Sequence, residues 1–158
     1  MEFHTADLSD AHPGAAIADP CLIDFGGRPS FGGTIRTVRC RDDNTMVRAA
    51  LEEPGKGAVL VVDGGGSFRC ALLGDRLAAV AIENGWSGVI VNGCVRDTDE
   101  LRHMGLGVRA VATHPRRSDK RGSGEQDGPV SFAGIDFVPG AWIYVDADGI
   151  ILLPEPPP

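Results

Sequence analysis

With 158 residues and 42% hydrophobic content, the chain is one ordinary domain, long enough for a sizeable core and too short for two. Its net charge of -7 argues against a protein that coats nucleic acid, and with no apolar run of membrane-spanning length and an acidic N-terminus, a cytoplasmic protein with no membrane partner is expected. Cys21, Cys40, Cys70 and Cys94 lack C-x-x-C spacing and three of them border apolar segments, which favours reduced, partly buried thiols over a disulfide framework or zinc cluster.

In chain order, residues 5–12 are predicted as a short helix. Gly26, Gly27 and Pro29 lead through Gly32 and Gly33 to a strand over 34–40, and Asn44 is placed to cap a helix running to about residue 53. Residues 58–62, Ala-Val-Leu-Val-Val, form an aliphatic run of the kind shown by a strand buried on both faces. It stops at Asp63, and Gly64, Gly65, Gly66 and Ser67 leave the strand through a tight loop. Between 71 and 84 the apolar residues Leu73, Leu77, Val80 and Ala81 recur at helical spacing, with Gly85 as the stop. Residues 88–92 are the next buried strand, 98–104 a short helix and 108–112 a third parallel strand. The final third changes character: 129–132, 135–138, 141–145 and 150–153 are short strands divided by Ala133-Gly134, Pro139-Gly140 and Asp148-Gly149, the punctuation of an antiparallel meander. A frayed tail is assigned to 151–158, with Glu155 and the terminal prolines. The predicted fold class is α/β, a parallel βαβ core followed by C-terminal antiparallel strands, in a single domain over 1–158.

The strand, helix and strand over 58–92 obey the right-handed crossover rule, so the two strands are parallel neighbours. The helix descends and the second strand climbs back, bringing Asp75 near the helix start and Arg96-Asp97 just past the strand to one edge of the sheet. Two acids and a fixed cation at the carboxyl ends of parallel strands suit a divalent metal, a carboxylate-bearing substrate and an enolate-like intermediate, which points to an enzyme. Each residue also has a plainer reading. Asp75 could only complement a helix dipole, and Arg96 could form an exposed salt bridge with Asp97, Asp99 or Glu100. The triple glycine lacks both the G-x-G-x-x-G spacing and a following Gly-Lys-Ser/Thr, so a tight turn explains it better than a nucleotide site. The one basic cluster, His114 to Arg121, has no interleaved aromatics and is expected to be a solvated loop rather than an RNA contact; its other uses are to close over the site or to meet a neighbouring subunit. His114 is not needed by a hard-cation site, and Trp86 and Trp142 are core or interface anchors.

The runs VVDGGGSFRCALLGDRLA, GWSGVIVNGCVRD and THPRRSDKRGSGEQD, with Asp24-Phe25-Gly26-Gly27-Arg28 and the closing PGAWIYVDADGIIL, resemble the regulator of ribonuclease activity A family over most of the chain. In that family, members with an Asp, twenty intervening residues and Arg-Asp look like class II pyruvate aldolases, and members lacking these acids look like protein regulators of ribonuclease E. This sequence keeps Asp75, Arg96 and Asp97, and carries Asp99 and Glu100 where the aldolases have a further acidic residue. The resemblance implies a metal-dependent 4-hydroxy-4-methyl-2-oxoglutarate aldolase that releases pyruvate through a metal-stabilised enolate, with oxaloacetate decarboxylase activity. It also implies a fold of the swivelling β/β/α type and a homotrimer with sites close to subunit borders. The alternative is a non-catalytic inhibitor of ribonuclease E-type RNA degradation.

For that chemistry, Asp97 offers the hard oxygen that Mg²⁺ or Mn²⁺ prefers. The backbone N–H groups of Gly74, Asp75, Arg76 and Leu77 lie where unpaired donors and the helix dipole favour the carboxylate of a 2-oxo acid, and the resemblance implies the same four residues. Arg96 can hold the ketone or enolate oxygen. Asp75 is the candidate to orient or deprotonate a water that relays protons, and Asp99 and Glu100 are candidate supporting acids.

Overall fold

Aliphatic and β-branched runs build the centre of a mixed α/β fold around a curled sheet. The computed structural model describes residues 2–156. Helix α1 (Thr5–Ala11) and two short strands, β1 (Ala16–Ile17) and β2 (Ile23–Asp24), precede β3 (Phe31–Arg39), α2 (Thr45–Leu51), β4 (Val59–Asp63) and β5 (Ala71–Leu73). Then come α3 (Asp75–Glu83), β6 (Gly88–Val95), α4 (Thr98–Leu101) and β7 (Gly107–Thr113). The C-terminal part holds β8 (Glu125–Gln126), β9 (Val130–Phe132), β10 (Ile135–Phe137), β11 (Trp142–Asp146) and β12 (Gly149–Leu153).

The strands follow the order β1-β12-β11-β3-β4-β6-β7-β2, with β5 added to β6 and β8 to β3. β3, β4, β6 and β7 are mutually parallel, and Val59 to Asp63 pair with Gly88 to Asn92, so the expected crossover pair is present in register. β11 joins the other edge of β3 antiparallel. One face of the sheet packs Leu60, Val62, Val89 and Val91 against Leu51 of α2 and Leu77, Ala78 and Ala81 of α3. The other packs Val59, Val61 and Ile90 against Phe137, Ile143 and Val145. Burial on both faces explains why the central strands are continuously apolar rather than alternating. Trp86 is buried, donates Nε1–H to the Glu53 carbonyl at 3.1 Å, and carries the Arg36 guanidinium over its ring, so it is a core anchor.

Several sequence expectations need correction. The helix expected over 71–84 begins only at Asp75; Ala71, Leu72 and Leu73 are fully buried and form β5 instead, beside the end of β6 that outruns β4. Three consecutive apolar residues carry no period, so a strand and a helical turn cannot be told apart there. The glycine loop makes this re-entry possible. Gly65 and Gly66 adopt φ of 67° and 69°, and a Cβ on Gly64 would lie 2.5 Å from Leu72 Cδ1, so turn and close approach both demand glycine. The helix expected over 98–104 is four residues, Thr98–Leu101.

The four-strand meander is two separate hairpins. β9 and β10 pair only with each other and cover the second core face, while β11 and β12 enter the main sheet because the free edge of β3 offers β11 a partner. The frayed tail assigned to 151–158 starts later: Ile151, Leu152 and Leu153 are buried in β12 and bonded to β11, with β1 on the far side. Its last two residues, 157 and 158, lie outside the described residues.

Asn44 precedes α2 but its side chain does not cap it. Asp43 does so, accepting from Thr45 N–H at 2.9 Å and Thr45 Oγ1 at 2.6 Å. Cys40, Cys70 and Cys94 are buried and Cys21 is exposed, all as free thiols. Burial, aided by Asp43 and Asp42, pushes the Cys40 thiol up to about 12 and that of Cys70 up to about 11, so both stay protonated and are poor nucleophiles or metal ligands. No helix among the described residues is long and apolar enough to cross a membrane.

Candidate functional site

β5 and β6 finish side by side, with Leu73 opposite Val95, and each chain then turns away from the sheet. Arg96 N–H donates to the Leu73 carbonyl at 2.9 Å, carrying the pairing one residue past the strands. Asp97 Oδ2 accepts from Asp75 N–H at 3.0 Å. These two hydrogen bonds stitch the start of α3 to the start of α4, so Asp75, Arg96 and Asp97 share one edge as the crossover geometry requires. Asp97 sits at φ 60° and ψ 42°, in the left-handed region. Few residues other than glycine occupy it readily, and aspartate is one of them. The first turn of α4 holds it there, with Glu100 and Leu101 N–H donating to its carbonyl. A strained residue held by its surroundings is common at working sites.

Gly74 is the residue that allows this approach. Its backbone is extended, so the constraint is space: a Cβ would lie 2.6 Å from Asp97 Oδ2 and 3.4 Å from Arg96 Cγ. Gly74→Ala should therefore push the Asp97 carboxylate off the Asp75 amide. If this edge is catalytic, kcat/KM is expected to fall about 10- to 100-fold, the scale set by a displacement near 1 Å, while the thermal midpoint stays within a few degrees of wild type. Parallel activity and melting measurements check this, and an unaffected kcat/KM would show that the close approach is dispensable.

The shared edge opens into a cavity of about 650 Å³. Gly74, Asp75, Arg76 and Leu77 line it beside Arg96 and Asp97, together with Arg117, Ser118 and Lys120 of the basic segment and Asn44, Thr45 and Arg48 from the start of α2. Arg96 is half-buried, and its guanidinium bonds only the Pro115 carbonyl, Nη1 to O at 3.3 Å. None of the carboxylates proposed as its salt-bridge partners lies within ion-pair distance among the described residues, so the plain salt-bridge reading does not hold. The N–H groups of Arg76 and Leu77 have no acceptor among the described residues, as expected of a first helical turn. That of Asp75 is spent on Asp97, which leaves fewer free amides than the sequence suggested.

Asp99 and Glu100 are not brought into this cavity. Both are exposed on α4 and line a separate shallow groove with Ala79, His103 and Met104, which also touches Asp75 and Arg76. The turn of α4 carries them past the sheet edge. His114 also stays out, with Nδ1 accepting from Arg116 N–H. The basic segment is the exposed loop expected, with Arg116, Arg117, Asp119, Lys120 and Arg121 all exposed and only Ser118 buried, but its backbone is pinned rather than free. Ala71 N–H donates to the Arg116 carbonyl at 2.8 Å, and Asn44 N–H to the Asp119 carbonyl at 3.3 Å. Buried Asp43 accepts from Arg121 N–H, Ser123 N–H and Ser123 Oγ. Burial alone would raise the Asp43 carboxyl, but these bonds and those from Thr45 outweigh it and hold the group well below the usual carboxylate range. The segment is thus fixed as a wall of the cavity. Sequence reasoning missed Ser118, Asn44 and Thr45, for which neither spacing nor composition gives a signal.

No group of three or more His, Cys, Asp or Glu side chains that could hold a metal occurs among the described residues. One carboxylate with an oxygen to spare, Asp97 Oδ1, beside the acid of Asp75, fits instead a hard dication that keeps most of its own water.

The chain matches the sequence profile of the RraA-like family, described as Aldolase/RraA, over residues 5–152. A Pseudomonas syringae pv. tomato protein provisionally named a 4-hydroxy-4-methyl-2-oxoglutarate aldolase is 52% identical over 157 residues, which make up 99% of this chain and 97% of that protein. Among solved structures, the RNA-processing inhibitor RraA from Thermus thermophilis superposes with a TM-score of 0.97 at 50% identity, covering 100% of this chain and 96% of that one. The structure described as S-adenosylmethionine:2-dimethylmenaquinone methyltransferase from Geobacillus kaustophilus HTA426 superposes at 0.95 with 44% identity, covering 98% and 96%. Three different functional names thus attach to one scaffold, and a choice among them has to come from the site.

Proposed function

The chain belongs to the RraA-like family, and from that membership we propose that it is a divalent-metal-dependent lyase that cleaves 4-hydroxy-4-methyl-2-oxoglutarate to pyruvate and decarboxylates oxaloacetate. The observation that carries this reading is the docking of Asp97 on the Asp75 amide beside an Arg96 guanidinium that pairs with no carboxylate among the described residues, all three lining one cavity. A swivelling β/β/α architecture, a homotrimeric assembly and a cytoplasmic setting belong to the same proposal.

In this mechanism Asp97 would hold Mg²⁺ or Mn²⁺, and the cation, when bound, would supply Lewis-acid polarisation of the substrate ketone. The two amides left free at the start of α3, those of Arg76 and Leu77, orient the carboxylate next to that ketone. Arg96 faces the carbonyl oxygen as negative charge grows on it, a contribution of about 3 kcal/mol by analogy with oxyanion donors. A guanidinium stays protonated throughout, so it stabilises charge without entering the proton traffic. Asp75 orients a water and moves a proton between it and the substrate, which is general acid-base work for a carboxylate.

The test is release of pyruvate from either substrate by purified protein with Mg²⁺, followed by coupled reduction to lactate and corrected for the enzyme-free rate. We expect metal-dependent turnover that a chelator abolishes and added Mg²⁺ or Mn²⁺ restores. No stimulation over the enzyme-free rate would favour a second reading, supported by the likeness to the Thermus inhibitor: a non-catalytic partner that restrains ribonuclease E-type RNA degradation.

A further inference from the structure

Ser118 is only 5% exposed, and its Oγ is buried without a hydrogen-bond partner among the described residues, although the residue lines the same cavity as Arg96 and Asp97. Leaving a buried hydroxyl unpaired costs about 1–3 kcal/mol, so such a group calls for a ligand. Its neighbours in the wall are cations with nothing to neutralise them. Among the described residues Arg117 has no ion pair or side-chain hydrogen bond, and Lys120 donates only to Asn44 Oδ1, at 3.0 Å. Asp119, the acid between them in sequence, pairs instead with Arg121 at 3.6 Å. The backbone here is held by Ala71, Asn44 and Asp43, so these groups are positioned before any ligand arrives. The cavity also exceeds what a pyruvyl group needs, since about 300–1,000 Å³ is the range for whole metabolites.

We propose that Ser118, Arg117 and Lys120 form a second anion subsite that binds the terminal carboxylate of the substrate, so that the site selects 2-oxo acids bearing an acid group at the far end of the chain. Arg96 and the start of α3 receive the 2-oxo acid end; the 117–120 wall receives the part that becomes the second product. This inference rests on the lyase reading for its catalytic consequences but not for its binding ones.

The experiment compares wild type with Ser118→Ala and with the double variant Arg117→Gln/Lys120→Gln. For cleavage of 4-hydroxy-4-methyl-2-oxoglutarate we expect kcat/KM to fall about 10- to 100-fold in the double variant, mainly through KM, the scale of lost charge-assisted hydrogen bonds. Cleavage of 4-hydroxy-2-oxopentanoate, which lacks a terminal acid, and inhibition by pyruvate should change less than about twofold, with Ser118→Thr close to wild type. An equal fall for both substrates, or no fall for either, overturns the proposal. Should wild type turn over neither substrate, the lyase reading fails while calorimetry still decides the subsite. Wild type with Mg²⁺ should then bind 2-oxoglutarate more tightly than 2-oxobutanoate, with the preference lost in the double variant. No preference in wild type counts against the subsite.

Discussion

Asp97→Asn should lower metal-stimulated pyruvate release by about 1,000-fold or more, because the only carboxylate proposed to hold the cation loses its charge and with it several kcal/mol of charge stabilisation. The substitution is a clean one for structural reasons. Asparagine tolerates the left-handed backbone at φ 60°, and its amide oxygen can still accept the Asp75 N–H that Asp97 Oδ2 accepts at 3.0 Å. Folding stability should therefore change by about 1 kcal/mol or less. Asp97→Ala would be less informative, since it adds backbone strain and frees the Asp75 amide as well as removing charge. Turnover and denaturant midpoints measured together check the expectation. A variant that keeps a tenth or more of wild-type activity would show that the cation is held elsewhere.

Arg96→Lys is expected to reduce kcat by about 100- to 1,000-fold while leaving stability within about 0.5 kcal/mol of wild type. Lysine keeps the charge but loses the planar fork, so it cannot keep the Pro115 carbonyl bond and present a second N–H to a developing oxyanion in fixed geometry. The guanidinium makes no ion pair among the described residues, which leaves little folding energy to lose. If activity and stability fell in proportion, the role of Arg96 would be structural.

Much of the fold was legible in the sequence because its centre is written in runs whose meaning is unambiguous. The aliphatic stretch ending in Val62 and the one from Gly88 onward could only be buried strands, and the crossover rule then set their direction. That was enough to bring Asp75 to Arg96 and Asp97 before any coordinates. What the sequence could not convey was the detail of Ala71, Leu72 and Leu73, which form a strand only because β6 runs past the end of β4 and offers an unoccupied edge. A tertiary vacancy leaves no local pattern. The same holds for Leu152 and Leu153, whose place in β12 depends on partners in β11 and, for Leu152, β1.

The site was legible in its first half and silent in its second. Asp75, Arg96 and Asp97 stand next to glycines and strand ends, where spacing translates directly into position. Asp99 and Glu100 follow closely in sequence, yet one turn of α4 sends them to a different groove. Ser118 sits in a run of charged residues that reads as solvent-facing. It is buried because Asp43, seventy-five positions earlier, collects the N–H groups of Arg121 and Ser123 and pulls the segment inward. Nothing in the composition of either segment announces that contact.

The most direct measurement is the location of Mn²⁺ by anomalous scattering in crystals soaked with Mn²⁺ and oxalate, a stable mimic of the pyruvate enolate. The expected result is a Mn²⁺ peak bonded to the Asp97 carboxylate, with oxalate spanning the cation, Arg96 and the amides at the start of α3. Mn²⁺ bound away from Asp97, or oxalate bound without Arg96, would contradict a metal-dependent lyase centre at this edge of the sheet.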